Sequence, residues 1–119
     1  MPAPKLRWNG KDLYVYRSEY HHKDRHQLAI LMFEEDDKSG VPYGTLTINS
    51  DDPMYGNNSG HLIKGYDLQF IDTRSWPGIM WVLNHDENND WVKPLPVPFQ
   101  PKFIPYPLCV FRLDKIPHI

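Results

Sequence analysis

The chain contains a single cysteine, Cys109, so it can form no intramolecular disulfide and no cysteine-based zinc cage. Long apolar runs are also missing, and no stretch approaches the roughly 20 residues that a helix needs to cross a bilayer. Residues Met1 to Leu13 lack the apolar segment of a secretory leader, so the expectation is a cytoplasmic protein with no membrane contact. Neither sign of charge dominates. Lys and Arg number 13 against 15 Asp and Glu, a net charge of -2, and no basic run offers the phosphate-neutralising surface that direct nucleic-acid binding requires. The glycines fit neither the phosphate-loop nor the dinucleotide pattern, and no Gly-x-Ser-x-Gly elbow is present. Cys109 lies within the apolar run Leu108 to Phe111, where a thiol is usually inert packing. The expectation is therefore a protein that is not an enzyme and carries no cofactor.

At 119 residues the chain is long enough for one core and too short for two. Hydrophobic residues make up 40% and charged residues 24%, the usage of an ordinary folded domain. Aromatics reach 13%, and each buried ring removes on the order of 150–250 Å² from water, so packing supplies the stability that disulfides do not.

Asp12 to Tyr16 is aromatic and β-branched and suits a first strand, and the polar stretch Arg17 to His26 suits a turn or the exposed continuation of a hairpin. Gln27 to Glu35 carries a short continuous apolar run whose flanks favour a strand. An acidic turn follows, and Tyr43, Thr45 and Thr47 then alternate with Leu46 and Ile48 in the period of a strand, which predicts a hairpin. Asn49 to Gly60 is dense in turn formers, and His61 to Phe70 suits another short strand. Asp72, Thr73 and Ser75 are N-cap candidates for a helix over Trp76 to Asn84 that buries Ile79, Met80, Val82 and Leu83, with Gly78 counting against it. Prolines 94, 96, 98, 101, 105 and 107 block helix and central strand, and Leu108 to Leu113 suits a last strand. The predicted architecture is a single α+β domain over residues 1–119. A mostly antiparallel sheet of four or five strands packs with one short helix and a Pro-rich extended arm.

Within that arm, Pro98 to Pro101 has the PxxP spacing that aromatic-lined grooves bind. The competing reading packs Phe99, Phe103, Ile104 and Tyr106 back onto the sheet, and the apolar character of the arm favours it. His21, His22 and His26 form the one local histidine cluster, and His22 and His26 would share a helix face as metal ligands do. The segment does not look helical, so a surface loop without metal is expected. A small hydrolytic or metal-dependent enzyme built on these histidines is the alternative from another class, and a self-assembling component is a third.

Carboxylates cluster in three connections: Glu34, Glu35, Asp36 and Asp37; Asp51 and Asp52; and Asp86, Glu87 and Asp90. Connections lie on the surface, so these groups are expected to be solvated and ionised. Read plainly, they solubilise hairpin tips. Read more sharply, they form a negative surface for a protein partner, and complementary charge points to a basic, nucleic-acid-binding host protein.

Several segments carry a family resemblance: His26 to Leu31, Val41 to Asn49 through Pro42, Tyr43, Gly44 and Thr45, then His61 to Tyr66, Gly78 to Leu83, and Tyr106 to Leu108. Over roughly half its length the chain resembles a bacterial family, the domain of unknown function 4313, whose members are small proteins often carried on plasmids and conjugative elements. The resemblance implies an α+β fold and a phage or mobile-element setting, in which small acidic proteins act against host defences. It implies no catalytic residues.

Overall fold

A computed structural model describes residues 2–22, 25–35, 39–48, 65–85, 89–102 and 104–119, with backbone alone at 19–22 and 25–27. Asn9 and Gly10 both have positive φ, 51° and 78°, the conformation of a two-residue turn whose twist matches antiparallel strands. The turn joins β1 (Lys5–Trp8) to β2 (Lys11–His22), with Trp8 opposite Lys11 and Arg7 opposite Asp12. A strand thus precedes the one expected at Asp12. From Leu13 to His22, β2 pairs with the whole of β3 (Arg25–Glu34), so the polar stretch continues the hairpin. Leu13 and Val15 of β2 and Leu28, Ile30 and Met32 of β3 are buried at every second position, which gives this sheet its core face. On the other face Tyr16 and Phe33 meet edge to face at 5.4 Å.

The alternating segment after the acidic turn is not one strand. β4 (Gly44–Thr45) pairs with β3, whereas β5 (Thr47–Ile48) pairs with β6 (Tyr66–Ile71) in a second sheet. Leu46, fully buried, is the junction: its N–H donates to Ile30 O at 2.8 Å, and its carbonyl accepts from Asp72 N at 2.8 Å. β7 (Val92–Pro94) and β8 (Leu108–Arg112) complete two antiparallel four-stranded sheets, ordered β1-β2-β3-β4 and β5-β6-β8-β7. Pro94 closes an edge strand, where its missing N–H costs no ladder bond. The fold is α+β and mostly sheet, as expected, but the strands number eight: β1 and β7 were not anticipated, and the change of sheets at Leu46 divides one expected strand in two.

The helix α1 spans Ile79–His85 and starts later than expected, because Gly78 has φ +80° and ends the preceding turn. Asp72 caps that turn and not the helix, its Oδ1 accepting from Ser75 N at 3.2 Å. Ile79 and Leu83 are buried, while Met80 and Val82 are only half-buried. Beyond the helix the buried Asn89 donates from Nδ2 to the carbonyls of Val82 and Leu83, satisfying acceptors that the last turn leaves open. One apolar cluster joins both sheets and the helix, from Leu6 and Leu13 through Leu46 and Ile71 to Ile79, Trp91 and Phe111.

The proline arm differs from expectation. A 3-10 turn, Val97–Phe99, leaves Phe99 69% exposed instead of packed, while Ile104 and Tyr106 are half-buried and Phe103 lies outside the described residues. Gln100 clamps the arm at its root: Nε2 donates to Leu95 O at 2.9 Å and Leu108 O at 2.8 Å, and Oε1 accepts from Leu108 N at 2.7 Å. The 3-10 turn also removes Pro98 and Phe99 from the polyproline conformation that PxxP grooves read.

Trp76 lies against β4 where Gly44 has no side chain, and its Nε1 donates to Thr45 O at 2.8 Å. A Cβ at position 44 would clash with Cζ2 and Cη2 of that buried ring. Gly44→Ala is therefore expected to destabilise the protein by about 1–3 kcal/mol, read as a lower urea midpoint at unchanged slope. An unchanged midpoint would contradict this packing.

Candidate interaction surface

Because the Asn9–Gly10 turn sets Arg7 opposite Asp12, oppositely charged side chains meet across β1 and β2. Arg7 Nη1 lies 3.1 Å from Asp12 Oδ1, and Lys5 Nζ lies 3.6 Å from Asp12 Oδ2. One residue further, Lys11 Nζ reaches Glu34 Oε1 at 2.7 Å, and that hydrogen bond and charge raise the lysine's pKa. Tyr14 OH donates to Glu35 Oε1 at 3.1 Å, which raises the phenol's pKa, chiefly because the bond holds its proton. These pairs are exposed and screened by solvent, so they organise charge more than they stabilise the fold.

Two clefts flank this ladder. The larger, of about 670 Å³, is lined by Lys5, Arg7, Asp12, Asp90, Asp114 and Lys115, and the smaller, of about 320 Å³, by Arg7, Lys11, Asp12, Glu34 and Glu35. Arg7 and Asp12 line both. Asp90 pairs with Lys115 at 3.3 Å and Asp114 with Arg112 at 3.1 Å, so the larger cleft is a mixed-charge surface.

Of the carboxylates singled out in the sequence, Glu34 is half-buried and paired, Glu35 is exposed and hydrogen-bonded, and Asp90 is exposed and paired. Asp36, Asp37, Asp51, Asp52, Asp86 and Glu87 lie outside the described residues. The described side chains include nine Lys and Arg against seven Asp and Glu, leaving four basic and eight acidic residues elsewhere. The net negative charge therefore belongs to the remaining segments, and the three acidic connections supply it. Sequence reading missed Lys5, Arg7, Asp12 and Tyr14, although the Asn9–Gly10 pair was a signal for the hairpin that aligns them.

A second feature lies beside the turn. Trp8 meets Trp76 edge to face at 5.0 Å and donates from Nε1 to Pro77 O at 3.1 Å, and Tyr43 lies 5.6 Å from the Trp76 ring with Lys11 over its own face. Trp81 is 66% exposed and stacks on His85.

The histidine cluster falls on the end of the β2–β3 hairpin, with His21 opposite His26 and His22 opposite Arg25, so the helix-face spacing does not apply. Among the described residues no group of three His, Cys, Asp or Glu is arranged to hold a metal ion.

Cys109 sits in β8, fully buried, and burial pushes its thiol pKa up to about 12. Alkylation by iodoacetamide at neutral pH is expected to be very slow in the folded protein and fast after denaturation. Modification of native protein at the rate of a free thiol would contradict that burial. Comparison with family models, with curated proteins and with solved structures finds no match for this chain.

Proposed function

We propose that this chain is a non-catalytic protein-binding accessory protein that holds a basic partner through its acidic connections. The observation that carries the proposal is that Arg7 and Asp12 line both the cleft with Glu34 and Glu35 and the cleft with Asp90. Glu35, after which one acidic connection begins, and Asp90, at which another ends, therefore lie beside one strand pair. In sequence, Asp36 and Asp37 follow Glu35 and Asp86 and Glu87 precede Asn89, while the ladder between the two clefts neutralises its own charges. A partner carrying spaced cations, such as the phosphate-binding groove of a nucleic-acid-handling host protein, matches this distribution. The setting we propose is a phage or mobile element acting against host defence, and its support is the family resemblance.

The test begins with capture of the partner from host lysate. Its affinity is then compared for Glu34→Lys with Glu35→Lys and for Asp86→Lys with Glu87→Lys. Each pair is expected to weaken binding by roughly tenfold or more at low salt, because repulsion adds to lost attraction. The difference should shrink as the Debye length falls from about 10 Å at 0.1 M to about 3 Å at 1 M salt. If both pairs stay within about twofold of the parent, under 0.5 kcal/mol, the acidic connections are not the binding surface.

A further inference from the structure

The tip of the proline arm is apolar in every direction. Val97 is 86% exposed and Phe99 69%, and Pro96 and Pro98 between and beside them are exposed as well. In a 3-10 turn successive side chains point about 120° apart, so Val97, Pro98 and Phe99 project on three sides and form a wedge, not a flat face. The wedge is held out from the body. Gln100 bonds to Leu95 and Leu108, Leu95 N donates to Leu108 O at 3.0 Å, and Gln100 N donates to Val97 O at 3.1 Å, so the tip is braced at its base.

The arm's own charges are of one sign, and Asp90, which shares a cleft with Lys93 and Leu95 at its root, is paired with Lys115. No Asp or Glu occurs from Trp91 to Leu113, and Lys93 and Lys102, both exposed, lie two residues outside the Leu95–Gln100 clamp on either side.

We propose that this arm is an interfacial anchor for an anionic lipid surface, with Val97, Pro98 and Phe99 entering the headgroup region and Lys93 and Lys102 meeting lipid phosphates. A protein groove contacts one side of an inserted segment, whereas a lipid interface surrounds it, and the three-sided exposure fits the second. Juxtaposed lysines add attraction to anionic headgroups that fades within a Debye length. The arm touches the interface without any segment crossing it, which departs from the expectation of no membrane contact. Its charge is opposite to that of the acidic connections, so the two surfaces serve different ligands.

The test is co-sedimentation of the full chain with vesicles of phosphatidylcholine alone and of an equimolar mixture of phosphatidylcholine and phosphatidylglycerol, at low and high salt. Binding is expected to the mixed vesicles at low salt and to weaken at high salt. Val97→Asp with Phe99→Asp, and separately Lys93→Glu with Lys102→Glu, should each weaken it by roughly tenfold or more. Trp81→Ala, an exposed aromatic on another element, should leave it unchanged, and circular dichroism should show all variants folded. Failure to bind the mixed vesicles, equal binding to both vesicle types, or binding that survives the aspartate pair would overturn the proposal. Loss of self-association in the aspartate pair, without any vesicle binding by the parent, would assign the tip to a second copy of the chain instead.

Discussion

The ring of Trp76 occupies the space that any side chain at position 44 would need, and its indole N–H is bonded to the next carbonyl along, Thr45 O. That contact sits two residues before Leu46, whose N–H bonds into the first sheet at Ile30 and whose carbonyl accepts from Asp72 beside the second. Thr47 adds a further link, its buried Oγ1 accepting from Ile30 N at 3.1 Å. The short segment from Gly44 to Ile48 therefore joins the two sheets, and the core shared by Leu13, Ile30, Ile71, Trp91 and Phe111 depends on it. A second join lies on β2, where Arg17 N and O bond to Pro117 O and Ile119 N, and Arg17 Nε donates to Ile116 O.

This construction has consequences for the surface. With both sheets committed to one core, the outer side of the β1–β2 hairpin is left to polar work. The Asn9–Gly10 turn then sets its charges in register. Lys5, Arg7, Lys11 and Lys115 are each engaged by a neighbouring carboxylate, so the ladder itself is close to neutral. The proposed recognition by charge therefore draws on the acidic connections that follow Glu35 and precede Asp90 in the chain. The aromatic group Trp8, Tyr43 and Trp76 fastens the same hairpin to the segment that leads into the helix, which limits how far the ladder can shift.

Strands β2, β3 and β8 were legible because their apolar and β-branched runs are strong and their flanks polar. β1 was less so. Lys5 to Trp8 alternates only weakly, and the signal for it lay in the turn that follows. The switch of sheets at Leu46 was not legible, since the alternation of Tyr43 to Ile48 describes one flat strand, whereas Leu46 and its neighbour Thr47 are both buried. No local pattern announces that two adjacent residues face one core. Phe99 was misread for a related reason: apolar content suggested docking, but Gln100, a distant polar residue in energetic terms, decides where the arm goes. For the site, the acidic residues were visible as a composition. Their partners Lys11 and Lys115, and the shared position of Arg7 and Asp12 between two clefts, arise only from the tertiary register.

The central proposal is that a cationic partner settles where Arg7 and Asp12 join the cleft of Glu34 and Glu35 to that of Asp90. A ¹⁵N-labelled sample titrated with a short oligolysine peptide tests this directly, because backbone amide shifts report where cations settle. The account predicts shifts concentrated at Arg7, Asp12, Glu34, Glu35, Asn89 and Asp90 and in the acidic connections next to them, fading as salt is added. Shifts centred on another face, or scattered evenly at low salt, would contradict it.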